Sequence, residues 1–233
     1  EDSKLIANAK KPIFYIGGGC INSGLKASNL VREFVKETGA PPTMTLMGLG
    51  VLPSSNKYSL GMLGMHGMYE ANLAMHDCDV MINIGARFDD RVTGRLDAIS
   101  PNSKKIHIDI DASEIGKIIH ADVPIVSDAK TALSNLVKSV EEKTHVEWLN
   151  QIDRLKTNHP SLVIRDTEKL LPQFIIKELH ELTNGDSIIV TGVGQHQMWA
   201  AQHYPFNDKN KIITSGGAGA MGYEVPAALG AQI

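Results

Sequence analysis

The chain has 233 residues, 42% of them hydrophobic, with a formal charge of -3 and an isoelectric point near 6.3. That length carries a real core and one large or two modest domains, and the lack of excess cation excludes a surface built to neutralise nucleic acid or an anionic membrane. No stretch approaches the roughly 18 apolar residues of a membrane span, and Cys20 and Cys78 lack C-x-x-C spacing, so no disulfide framework or zinc site is expected.

Pro12 to Ile16 is a short apolar run closed by Gly17-Gly18-Gly19, and Leu25, Leu30, Phe34 and Val35 recur at helical spacing, predicting a strand, a glycine turn and a helix over Asn22 to Thr38. The cycle repeats with a strand from Pro42 to Leu46, a glycine and methionine loop to Gly67, a helix from Met68 to His76 and a buried strand from Asp79 to Ile84. A strand over Lys105 to Ile110, a helical patch at Ser113 to Lys117, a strand at Val123 to Val126 and a helix from Asp128 to Glu142 follow. Strands alternating with helices predict an α/β fold with a doubly wound parallel sheet over residues 1–143.

Residues 144–166 are polar and helical, with Trp148, Leu149, Ile152 and Leu155 as the apolar side, and read as a connector. A second α/β unit over 167–233 comprises a helix from Glu168 to Leu182, a strand from Ser187 to Thr191, a helix from Gln195 to His203 and a strand from Lys211 to Thr214. The chain opens at Glu1 without a methionine and stops inside the small-residue run Val225 to Ala231; it is expected to be an internal piece of a longer protein.

Ligands of parallel sheets gather at the carboxyl ends of the strands, and those ends carry groups suited to a dinucleotide. Gly18 and Gly19 permit close backbone approach, although Asn22 stands where the dinucleotide fingerprint needs a third glycine. Arg87 and Arg91, after the strand ending at Gly85, can grip pyrophosphate oxygens or pair with neighbouring aspartates on a solvated loop. Asp109 is placed for a ribose hydroxyl or, like Asp111, for capping the patch after it, and Ser127-Asp128-Ala129 for an N-cap or an adenine edge. Leu63-Gly64-Met65-His66 sets thioether and imidazole near glycines, suiting a flat ring. Gly192 to Gln197 and Gly216 to Gly222 are two more glycine-rich strand exits, fit for a diphosphate.

Thr45-Leu46-Met47-Gly48-Leu49-Gly50, Leu63 to Gly67, Ala86-Arg87-Phe88-Asp89-Asp90-Arg91-Val92-Thr93-Gly94 and Gly194-Gln195-His196-Gln197-Met198-Trp199 resemble the acetolactate synthase catalytic subunit nearly end to end. The resemblance implies a central flavin domain and the start of a thiamine diphosphate domain. FAD would lie along Gly18, Gly19, Thr45, Leu46, Met47, Leu63, Gly64, Met65, His66, Gly85, Ala86, Arg87, Asp89, Arg91, Val92, Asp109, Ile110, Asp128 and Ala129. Thiamine diphosphate would meet Val193, Gly194, Gln195, His196, Gly219 and Met221.

The implied reaction condenses two 2-keto acids with loss of carbon dioxide, in a cytoplasmic, plastid or mitochondrial enzyme of branched-chain amino acid biosynthesis. The assembly would be a homodimer or homotetramer, with a regulatory small subunit as a further partner. The activating glutamate and the Mg2+ ligands would lie outside this chain, so no catalytic or metal residue is assigned and the chain alone is expected to be inactive. Where the family has Gly-Leu-Gly-Thr-Met-Gly and a small residue, this chain has Ala218, Ala220, Glu224 and Val225; Glu224 either lies near the diphosphate or faces solvent. Sister thiamine enzymes, and a non-catalytic adenine-nucleotide module, are the competing readings.

Overall fold

The computed structural model describes residues 2–208 and 211–233. In chain order the elements are α1 (Asp2–Asn8), β1 (Pro12–Ile16), α2 (Gly19–Asn22), α3 (Leu25–Thr38), β2 (Pro42–Met44), α4 (Tyr69–Asp77), β3 (Val80–Ile84), α5 (Asp90–Thr93), β4 (Lys104–Asp109), β5 (Val123–Val126), α6 (Ala129–Leu136), α7 (Val146–Asn158), α8 (Pro172–Leu182), β6 (Ile189–Thr191), α9 (Gln195–His203), β7 (Ile212–Thr214) and α10 (Glu224–Gln232). Five strands form one parallel sheet in the order β2-β1-β3-β4-β5, and β6 and β7 form a separate parallel pair.

Strands β1 and β3 are buried at every position, as expected of parallel strands covered on both faces, and their aliphatic and aromatic residues suit that surface. Successive side chains alternate between two cores. Phe14, Ile16, Ile82, Ile84, Ile106 and Ile108 pack with Ile6 of α1, Val31 and Phe34 of α3 and Leu133 of α6. Ile13, Tyr15 and Met81 pack on the other face with Ala71 and Met75 of α4 and Trp148 and Ile152 of α7. The Phe14 and Phe34 rings meet edge to face at 5.1 Å, a geometry worth about 0.5–1.5 kcal/mol beyond the area it buries.

Several boundaries differ from the sequence expectation. The helix expected from Asn22 is split: Gly24, at φ +91°, breaks a short α2 from α3. The strand after Pro41 stops at Met44 because the Thr45 hydroxyl accepts from the Gly48 amide and starts a 3-10 turn over Leu46–Gly48. Ser113 to Lys117 forms turns rather than a helix; the Asp111 carboxylate takes the Ser113 amide and hydroxyl, a local bond that competes with helix formation. The helix after Asp128 ends at Leu136, continuing only as a 3-10 turn to Ser139. The helix expected from Glu168 begins at Pro172, where proline's fixed φ suits the first helical position. The connector is helical only over α7, whose Trp148 indole donates to the Pro12 carbonyl at 3.0 Å.

Strand order reverses between β1 and β3, so their carboxyl ends open a crevice. There the Gly17 amide donates to the Ile84 carbonyl at 2.9 Å and the Gly19 amide to the Gly85 carbonyl at 3.1 Å. A methyl group on Gly17 would fall on the Gly85 carbonyl, and one on Gly19 would stand 2.8 Å from the Gly85 Cα. Gly17→Ala is therefore expected to lower the unfolding free energy by about 1–3 kcal/mol through overpacking, read as a shift of the urea midpoint; an unchanged midpoint would show that this crossing relaxes freely.

Candidate functional site

The residues singled out in the first unit fall along the carboxyl edge of the five-stranded sheet. Beside Gly18, which stands at the N-cap of α2, lies Met47: a methyl on Gly18 would be 3.0 Å from the Met47 Cβ. Thr45 is buried, its hydroxyl occupied by Gly48 and its amide donating to the Ile16 carbonyl at 2.9 Å. Leu46 is half-buried and Met47 exposed. In the next loop Leu63 is buried and Gly64, at φ +101°, is held by the Asn72 side chain, which accepts from the Gly64 amide at 2.8 Å and donates to its carbonyl at 2.9 Å. Met65 and His66 are left exposed.

The arginine run starts from Gly85, whose amide donates to the Ile108 carbonyl at 2.8 Å. Ala86 is buried, Arg87 exposed and Phe88 buried at φ +58°, a conformation costly for a bulky side chain. The Asp89 carboxylate accepts from the Arg91 amide at 3.0 Å and so caps α5. Arg91 is exposed, paired only loosely with Asp90 at 3.7 Å, and its carbonyl takes the Met65 amide at 2.7 Å. Val92 is half-buried behind it. Arg87 has no hydrogen-bond partner among the described residues, so both guanidinium groups face outward with donors to offer.

At the next strand end Asp109 accepts the Asp111 amide on one oxygen at 2.9 Å, while Ile110 is 72% exposed. Asp128 caps α6 and also takes the Ser23 hydroxyl at 2.6 Å, tying the end of β5 to the loop after β1; Ala129 is buried beneath it. The carboxyl edge thus shows exposed apolar side chains at Met47, Met65, Ile110 and Val126 beside two outward cations. Flat apolar rings and a pyrophosphate fit that donor set.

In the second unit the β6 exit places Val193 half-buried and Gly194, Gln195 and His196 exposed at the start of α9, whose N-cap lacks a side-chain bond. Gln197 turns inward, donating to the Thr214 hydroxyl at 2.6 Å. Gly219 and Met221 are exposed after β7. Glu224 is half-buried and turns one carboxylate oxygen inward: a methyl on Gly192 would lie 2.5 Å from its Oε2, a buried atom with no hydrogen-bond partner among the described residues. The two units meet where the Ser54 amide and hydroxyl donate to the Phe206 carbonyl and Gln202 donates to the His66 carbonyl at 2.7 Å. Among the described residues, no group of three or more His, Cys, Asp or Glu side chains is arranged to hold a metal ion, and no helix is long and apolar enough to cross a membrane.

Sequence reasoning missed Ser23, Asn72, Asn83 and His107, each of which holds a loop of this edge. For Asn83 and His107 a signal existed: a polar residue inside a strand that otherwise reads as wholly buried must have a specific partner.

Residues 3–136 match the family described as thiamine pyrophosphate enzyme, central domain, and residues 192–233 match thiamine pyrophosphate enzyme, C-terminal TPP binding domain. Acetolactate synthase 1, chloroplastic, of Nicotiana tabacum is 46% identical over 99% of this chain, and the acetolactate synthase large subunit of Lactococcus lactis subsp. lactis is 45% identical over 97%. The chain spans 35% and 39% of those two relatives' own lengths.

The Ser23 hydrogen bond, foremost, holds the Asp128 carboxyl below the ordinary carboxylate range, opposed by partial burial. A folded-state pKa lowered in this way adds stability that is complete above the unfolded value and vanishes as pH falls through the folded one. Asp128→Ala is expected to cost about 1 kcal/mol at neutral pH through the lost cap, with the gap to the parent protein narrowing in acid. Denaturant titrations at neutral and acidic pH test this, and a gap that widens in acid would contradict it.

Proposed function

This chain belongs to the thiamine pyrophosphate enzymes, and from that premise we propose that it is the flavin-binding centre, and the start of the thiamine diphosphate domain, of an acetolactate synthase. The likeness to acetolactate synthases across both units carries this reading. The carboxyl-edge geometry supports it, because the outward Arg87 and Arg91, the acceptor Asp109 and the apolar side chains of Met47, Met65 and Ile110 form a donor set suited to FAD.

Arg87 and Arg91 hold the pyrophosphate as charge-assisted donors. Asp109 would accept from the ribose through the oxygen not used by Asp111, and Met47 and Met65 would offer adaptable thioether surface to the flavin ring. The condensation has no net redox change, so the flavin serves as a structural group. At the second edge, the Gln195 and His196 amides at the start of α9 and the open backbone at Gly219 would hold the diphosphate, and Met221 would support the thiamine. Thiamine diphosphate, when bound, supplies the carbanion chemistry by which one 2-keto acid loses carbon dioxide and joins a second. Mg2+ accompanies the diphosphate through ligands not assigned to this chain. The substrates are pyruvate with a second pyruvate or 2-ketobutyrate, and the working unit is a homodimer or homotetramer that can take a regulatory subunit.

The test uses the intact protein that carries this chain, supplied with pyruvate, thiamine diphosphate and magnesium. Acetolactate should form, bound flavin should be visible by absorbance, and Arg87→Ala or Arg91→Ala should weaken flavin binding by about ten- to a hundredfold, the loss of a charged hydrogen bond. Absence of acetolactate would assign the chain to a sister thiamine enzyme. Flavin binding indifferent to both arginines would remove FAD from this edge.

A further inference from the structure

Three polar residues lie in one cross-strand row inside the second core. Tyr15 of β1 pairs in register with Asn83 of β3, and Asn83 with His107 of β4. All three are fully buried. They sit under the arginine run and hold it at two points. Asn83 grips Ala86 with both ends of its amide, donating to the carbonyl at 2.8 Å and accepting from the amide nitrogen at 3.1 Å. His107 Nε2 lies 3.1 Å from the same carbonyl; a carbonyl can only accept, so this nitrogen carries the proton.

One residue past Arg87, the ring of Phe88 is driven down between Tyr15, at 5.3 Å, and His107, at 5.2 Å and edge to face. Phe88 occupies that place at a φ of +58°. Arg87 therefore stands between two residues pinned from below, and its backbone direction is set before any ligand arrives. Among the described residues, the row leaves Tyr15 Oη and His107 Nδ1 buried without hydrogen-bond partners, a defect that a core selected for stability alone would fill with apolar side chains.

We propose that the Tyr15–Asn83–His107 row is a clamp that presents Arg87 to the flavin pyrophosphate, with His107 as its chief positioning residue. This rests on the placement of flavin at the carboxyl edge given above. Binding groups held only loosely lose affinity, because ordering them must be repeated with each binding event.

His107→Leu removes the donor to Ala86, and His107→Gln restores an N–H near the position of Nε2. In the intact protein, flavin fluorescence titration should show affinity weakened about tenfold or more by His107→Leu, the scale set by supporting partners elsewhere, and largely recovered by His107→Gln. Amide hydrogen exchange over residues 85–91, measured without flavin, should quicken in His107→Leu and return toward the parent rate in His107→Gln.

Equal flavin affinity in all three proteins, while Arg87→Ala loses flavin, would overturn the clamp and leave the flavin reading intact. If the parent protein binds no flavin, the flavin reading fails and the clamp's role in presenting Arg87 is overturned with it, whatever the exchange rates. Should His107→Leu fail to fold, nitrogen NMR of the parent protein decides between the two tautomers. A proton on His107 Nε2 supports the clamp, and a proton on Nδ1 with Nε2 bare overturns it.

Discussion

The approach of the backbone after β1 to the backbone after β3 is the constraint on which the rest of this molecule depends. Gly17, Gly19 and Gly85 sit so close that a single added carbon at any of them meets main-chain atoms of the other loop. Among the described residues, two main-chain hydrogen bonds and the Cys20 thiol, which donates to the Ile84 carbonyl, lock the crossing. Because main chain rather than side chains touches here, the two central strands end at the same height, and the loops that follow turn outward from a common ledge. Gly85 at φ +64° sends the arginine run away from the sheet, and the loop after β1 carries Ser23 to Asp128 at the far side of the edge.

Magnitudes separate what stabilises this edge from what orients it. The three hydrogen bonds to Ala86 from Asn83 and His107 contribute about 1 kcal/mol each. The buried, unpartnered Tyr15 Oη and His107 Nδ1 cost about 1–3 kcal/mol each, and the positive φ of Phe88 adds a cost on the order of 1–3 kcal/mol. The sum is close to zero or unfavourable, so the row is not explained by stability. Burial acts in the same sense on its titrations, lowering the pKa of His107 and raising that of Tyr15. In both cases burial disfavours the charged form.

Much of the fold was legible in the residues. Apolar runs such as Pro12 to Ile16, and Val80 to Ile84 interrupted only by Asn83, read as strands covered on both faces, and their alternation with helical patterns pointed to a parallel sheet. The strand-end position of Arg87 and Arg91 was equally plain. Element ends were less legible where a side chain rewrites the backbone locally, as at Thr45 and Asp111. The clamp was hidden for a different reason: Tyr15, Asn83 and His107 become neighbours only through strand register, which spacing along the chain does not encode. Glu224 shows the same limit, since its lean onto Gly192 joins an α10 residue to the end of β6.

Trp148 fastens α7 to the start of β1 by its indole hydrogen bond and its burial against Ile13 and Met81. The helix has 13 residues and so carries the chain about 20 Å across the sheet before the irregular run into α8. The second unit is thus leashed at a fixed point instead of swinging from a free linker. A short tether of this kind keeps its two ends at an effective concentration in the ~millimolar range. Ala201, Tyr204, Phe206 and Ile212 of the second unit share one buried apolar cluster with Val51 and Leu52 of the first, and with the Ser54 and Gln202 hydrogen bonds they hold together units that the tether already keeps close.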